Sequence, residues 1–213
     1  NDDRARLEAV RDALGPSGAI RCETHGRWDL ESAAAAIPVL DRAAGGLEFI
    51  EQPCAGLDDL AALRRRVEVP VAVGRSINDA DDPLRLRLSE SADLAVLNVA
   101  ALGGVRRALR VAESVGLPCV VAAEVQSSIG IAGGLALAGV LDDAGFAHSL
   151  GGALLLAGDV VSAGRSLIPF EGHLPVAPMP SAPDPARLER FTATDPETVT
   201  RWRRLLASVQ RYL

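Results

Sequence analysis

Short β-branched runs alternate with alanine- and leucine-rich helical stretches along most of this chain, and that alternation constrains its fold more than any single motif. It is the pattern of βα units feeding one parallel sheet. The runs that read as strands are Ile20–Glu23, Leu47–Glu51, Val71–Gly74, Leu94–Val99, Cys119–Ala123 and Ala147–Leu150. Between them Asp29 caps a helix running through Asp41, and Leu57–Arg66 ends just before the Val67–Pro70 entry to the next strand. Further helices are predicted at Asp82–Ser89, Gly104–Val115 and Ser127–Leu141. Their alanine and leucine content suits both high helix propensity and close packing on a sheet.

In a barrel of βα units every helix follows a strand, yet the first helix, Asp3–Leu14, has none before it. Six parallel strands also leave two open edges where eight close a barrel. The expectation is that further strands come from residues outside this sequence or from a partner chain, with a homo-oligomer as the other way to cover the edges. The periodicity fades after Gly151, which divides the chain into a partial barrel (1–163), an irregular extended segment (164–193) and a C-terminal helix packing on the barrel (194–213). That last helix starts at Thr194-Asp195-Pro196-Glu197, which supplies a cap, a first-turn proline and the glutamate of a capping box.

Composition narrows the partners. A formal charge of −6 without any basic run excludes the electrostatic footprint of a nucleic-acid binder. No run approaches the ~20 apolar residues of a membrane span, and the polar start NDDRARLE is not a signal peptide, so a cytoplasmic protein is expected. Cys22, Cys54 and Cys119 are odd in number and widely spaced, fitting neither a disulfide framework nor a paired-cysteine metal motif. All 22 basic residues are arginine, which excludes a lysine general base or Schiff-base amine within this chain.

The strand ends read RCETHGRW, EFIEQPC, PVAVGRSI, AVLNVAALGG and VVAAEVQSSIG, each where a βα barrel displays its active site. In order and spacing they resemble the o-succinylbenzoate synthase family of the enolase superfamily. The family pattern there is approximately R-V-D-A-N-G-x-W, E-Q-P-C, P-V-A-x-D-E-S, V-L-K-V-x-x-L-G-G and a serine-containing seventh strand. The resemblance runs from about Asp2 to Asp159 and weakly through PDPARLERF. It implies an α/β fold, a (β/α)7β TIM-type barrel of which this chain holds the third to eighth strands. The first two strands, one carrying a K-x-K pair, and a capping domain are then not in this chain. It also implies a lyase, a dehydratase of menaquinone biosynthesis in which one magnesium ion stabilises an enediolate. In that scheme three carboxylates end the third, fourth and fifth strands, and lysines on the second and sixth face the substrate.

Carried over residue by residue, the resemblance places metal-ligand roles on Glu23, one methylene longer than the family aspartate, and on Glu51 of EQPC. Magnesium favours such hard oxygen donors. The third ligand position is Gly74, followed by Arg75 where the family has an acid, and the sixth-strand lysine is Asn98. Ala122 and Ala123 stand where serines are expected, with Glu124 after them. Catalytic-type roles fall to His25, Arg75 and Asn98, and substrate contacts to Gly103, Gly104 and Glu124.

Alternatives stand beside each of these. Glu23 and Glu51 read either as a retained metal pair or as carboxylates salt-bridged to Arg75, which would lower their pKa values. His25 reads as a proton shuttle or a solvated loop histidine. Gly103-Gly104 offers helix-start N–H groups to a carboxylate or serves tight packing. His148 and His173 lack spacing partners that suggest a metal. Three functions are carried forward. The first is a metal-independent enzyme or binding barrel for a small carboxylate, needing no cofactor. The second is a magnesium-dependent synthase completed by upstream residues. The third is a noncatalytic scaffold or subunit.

Overall fold

The computed structural model describes residues 2–176 and 182–212. Its core is a five-stranded, all-parallel sheet in the order β1-β2-β3-β4-β5, so every strand pairs with its sequence neighbour. The strands are β1 (Ile20–Glu23), β2 (Leu47–Glu51), β3 (Val71–Val73), β4 (Leu94–Leu97) and β5 (Cys119–Val121). Between and before the strands lie α1 (Asp2–Leu14), which packs on α2 (Leu30–Ala44), then α3 (Leu57–Arg64) and α5 (Val105–Val115), with a four-residue α4 (Arg75–Asn78) after β3. Helix α6 (Ser128–Ala138) follows β5, and α7 (Pro185–Phe191) and α8 (Pro196–Val209) end the chain. This is a curled α/β half-barrel.

Local chemistry sets the boundaries. The Asp29 carboxylate accepts from Ser32 N at 2.7 Å and starts α2, and Gly45 ends it in the left-handed region at φ 65°. Arg11 of α1 donates to Ala44 O, Gly15 O and Gly18 O, tying the first helix to the end of α2. Two apolar layers result. The larger lies between sheet and helices and holds Ile37, Ile50, Leu60, Leu63, Ile77, Leu97, Val111 and Ile131. The smaller lies on the concave face and holds Phe49, Ala72, Leu94, Val96 and Val120.

Three predicted elements differ. The sixth strand, Ala147–Leu150, is reduced to one parallel bridge between Ala122 and Ser149. There the His148 ring intervenes: Val121 N donates to His148 Nδ1 at 3.0 Å and to no further strand carbonyl, so the ladder stops. The predicted helix Asp82–Ser89 is only a 3-10 turn at Pro83–Arg85, because Leu84-Arg85-Leu86-Arg87-Leu88 alternates with a period of two. Within the segment expected to be irregular, Asp184 caps α7 by accepting from Arg187 N, with Pro185 at its first position. Asn1, residues 177–181 of that segment and Leu213 lie outside the described residues. Helix α8 carries no buried side chain and leaves Trp202, Leu205 and Leu206 half exposed or more, so the packing on the barrel expected of it has no buried residue behind it. Among the described residues, no helix is long and apolar enough to cross a membrane.

Candidate functional site

Side chains at the C-terminal strand ends alternate between the two faces, so one set from each strand points into the concave mouth. The result is a cavity of about 460 Å³ lined by Arg21, Glu23, His25, Phe49, Glu51, Arg75, Asn98, Glu124 and Ser149, among others. Glu23, His25, Glu51, Arg75, Asn98 and Glu124 are thus brought together as the sequence predicted. Gly103 and Gly104 are not part of this lining. Their N–H groups donate to Ala100 O and Val99 O, and Gly104 caps α5, so these two donors are already engaged by the turn.

Electrostatics in the mouth differ from the sequence expectation in one important respect. Arg75 does not pair with Glu23 or Glu51. Its Nε donates to Asp79 Oδ2 and its Nη1 to His25 O, both at 3.0 Å. Asp79 sits one helical turn further along, an i,i+4 spacing that sequence alone marks as an ion-pair candidate. Glu23 instead faces His25, with Oε1 2.7 Å from Nδ1. Without an arginine partner, Glu51 is pushed up to about 7, by burial first and by the charge of Glu23 second, while Arg21 pulls the other way. Arg21 is itself engaged: it pairs with Glu48 at 2.8 Å, donates to Ala147 O and stacks over Phe49.

Gly74 has a physical counterpart across the mouth. A Cβ at this position would overlap Glu51 Oε1, with Glu51 Cδ only 3.0 Å away and Val96 Cβ at 3.4 Å. The Glu51 carboxyl therefore fills the space in which a ligand side chain at residue 74 would begin. A magnesium ion of the family type wants several oxygen donors in near-octahedral array. The residues present offer Glu23 and Glu51 alone at the three carboxylate positions, and among the described residues no three of His, Cys, Asp and Glu form a metal-holding group. Asn98 is also constrained: its Oδ1 accepts from Ala100 N and Ala101 N, and its backbone N–H donates to Asn78 Oδ1. Only its amide N–H groups remain for a ligand.

Sequence reading missed Gln52, which is buried and hydrogen-bonded to the turn after β3. It lies inside the EQPC motif, directly after Glu51. His148 serves the sheet and His173 pairs with Glu171 O in the tail, so neither belongs to the mouth.

A half-barrel with strand-end carboxylates in its mouth defines the class. Residues 1–178 match the family model described as Enolase C-terminal domain-like. The chain is 51% identical over 175 residues to o-succinylbenzoate synthase of Thermobifida fusca, covering 82% of this chain and 54% of that protein. It is 43% identical over 195 residues to the enzyme of the same name from Mycolicibacterium smegmatis, covering 92% and 58%. Among solved structures, muconate lactonizing enzyme from Pseudomonas fluorescens, complexed with muconolactone, is similar with a TM-score of 0.77 at 26% identity, over 89% of this chain and 52% of that one. The chain belongs to the o-succinylbenzoate synthase family of the enolase superfamily. It spans about half the length of these relatives.

Proposed function

We propose that this chain is the barrel part of an o-succinylbenzoate synthase-like protein whose mouth binds a small carboxylate compound without the family's magnesium ion. The observation that carries the reading is Glu51 turned into the space beside Gly74, which leaves two carboxylates where three are needed. Arg75 uses Nε and Nη1 in its protein contacts, and its remaining donors suit a ligand carboxylate. His25, held through Nδ1 by Glu23, presents Nε2 as the group able to accept or deliver a proton. Loss of a metal ligand together with the sixth-strand cation removes electrostatic stabilisation that is commonly the largest single contribution to rate. A cytoplasmic location belongs to the same reading.

The competing reading, a magnesium-dependent dehydratase, is favoured by the 51% identity to the Thermobifida fusca protein. The full-length protein separates the two. On our reading, o-succinylbenzoate raises its melting temperature in EDTA, and added MgCl2 changes nothing. Magnesium-dependent formation of o-succinylbenzoate that EDTA abolishes would establish the other.

A further inference from the structure

Gln52, the residue after β2, adopts a conformation that few non-glycine residues do, φ 44°, and it is 1% exposed. A primary amide buried this deeply needs partners for two N–H donors and for two carbonyl lone pairs. All four are satisfied. Nε2 donates to Cys54 O at 3.0 Å and to Ser76 Oγ at 2.7 Å. Oε1 accepts from Gly74 N at 3.2 Å and from Ser76 N at 3.0 Å. The orientation of the amide is fixed by these partners, because a flipped amide would set N–H groups against two backbone donors and its oxygen against a carbonyl.

The main chain of the same residue reaches the other way. Gln52 O accepts from Gly26 N at 2.6 Å and from Thr24 Oγ1 at 2.9 Å, in the loop that carries His25 and directly follows Glu23. Arg75 Nη1, donating to His25 O, closes the circuit from the β3 turn back to the β1 loop. One residue thus touches all three strand-end segments that place Glu23, His25, Glu51 and Arg75.

We propose that Gln52 is the positioning residue of the mouth, locking the loops after β1, β2 and β3 into one body. It acts through Arg75 and His25 and touches no ligand itself. Without its side-chain bonds, residue 52 has no reason to hold its left-handed conformation, and the carbonyl that fixes the β1 loop moves with it.

Amide hydrogen exchange resolved by residue tests this in the full-length protein. In Gln52→Met the amides of Gly74 and Ser76 lose their acceptor directly, so their faster exchange alone proves little. The decisive amide is Gly26, whose acceptor is a backbone oxygen that the substitution retains. We expect Gly26 to exchange at least tenfold faster, with Ala95, bonded to Pro118 O in the sheet, changed less than threefold. In a background where every tryptophan except Trp28 is replaced by Phe, the emission of Trp28, whose backbone N–H donates to Pro53 O, shifts in parallel. Gln52→Glu keeps an acceptor for both backbone N–H groups and for the Ser76 hydroxyl, so it restores slow exchange at Gly26 and serves as the milder variant. The proposal is overturned if Gly26 and Trp28 are unchanged while Gly74 and Ser76 are released, or if all four amides quicken equally. Because the measurement needs no ligand, its outcome is separate from that of the carboxylate reading.

Discussion

Gly74→Asp puts back the family's carboxylate and tests whether the mouth can be returned to metal chemistry. Gly74 lies at φ −128°, outside the left-handed region that favours glycine, so φ alone does not bar a side chain here. The obstacle is Glu51, whose Oε1 the new Cβ overlaps, and Val96 Cβ at 3.4 Å blocks retreat on the other side. Glu51 must swing away, which costs about 1 kcal/mol if it leaves a preferred rotamer. Two ionised carboxylates about 5 Å apart at an effective dielectric near 20 repel by a further ~3 kcal/mol. Glu51, which titrates near 7, escapes most of that by protonation in acid but not in base. The variant is therefore expected to be less stable than wild type by roughly 2–4 kcal/mol at pH 8.5 and by about 1 kcal/mol at pH 5.5. Magnesium at about a hundred times its dissociation constant returns nearly 3 kcal/mol to the variant at pH 8.5, by binding only the folded state. Urea unfolding followed by circular dichroism, with EDTA or with MgCl2, reads all four conditions. The reasoning fails if MgCl2 stabilises the wild type as much as the variant, for then Glu23 and Glu51 already hold the ion.

Three further outcomes are expected. Glu51→Gln removes a carboxyl that holds its proton more tightly folded than unfolded. Its favourable contribution is complete below about pH 4.5 and is lost as pH rises to about 7, on the order of 3 kcal/mol, so urea melts should show the variant stabilised at pH 8 and unchanged at pH 4.5. Burial raises the Asp159 carboxyl, but bonds from Ser128, Ser166 and Val160 outweigh it and the net shift is downward. Its stabilisation is therefore present above the usual aspartate range and lost in acid, and Asp159→Ala should be destabilising at pH 7 and much less so at pH 3, read by urea unfolding. His148 is lowered by burial and then by Arg21, and protonation would break its bond from Val121 N. Its contribution is present above about pH 6.5 and lost as pH falls, so His148→Ala should flatten the stability profile between pH 7 and 5 at a cost of about 1 kcal/mol.

How much of this was legible depended on whether one residue's chemistry or several residues' geometry decided it. The bounds of β1 and β2 follow from their β-branched and aromatic content and were read to the residue. The caps at Asp29 and at Asp195, which accepts from Thr198 N, rest on local side-chain hydrogen bonds and were equally readable. Asp184-Pro185 carries the same signal inside the segment expected to be irregular (164–193), where the helix it starts is only seven residues long and buries no side chain. Ala147–Leu150 contains no β-branched residue, yet its order in the barrel suggested a strand; a histidine ring competing for a ladder N–H leaves no trace in a sequence pattern. In the mouth, residue types were legible and pairings were not. Arg75 was correctly placed among carboxylates, but the nearer Asp79 and the His25 carbonyl won it. Asn98 could be seen replacing a cation, whereas its carbonyl's capture by Ala100 and Ala101 depends on the turn that follows β4.

The separation of the two apolar layers explains how such changes are tolerated. Each fully buried leucine or isoleucine between sheet and helices, such as Ile37, Leu60, Leu63 or Leu97, contributes about 2 kcal/mol by burial. Glu23, Gly74 and Asn98 lie above the concave layer and are in neither apolar cluster. A change at any of them alters charge without opening a cavity in either layer, so the barrel tolerates it. A residue that fastened the mouth would behave differently, because losing it disturbs three strand ends at once. Gln52 matches the EQPC pattern of the resemblance while residues 74, 75 and 98 depart from theirs, and its bonds run to backbone groups, apart from Thr24 and Ser76. On that proposal, fastening through the main chain would leave the side chains at the strand ends free to differ while the mouth keeps its shape.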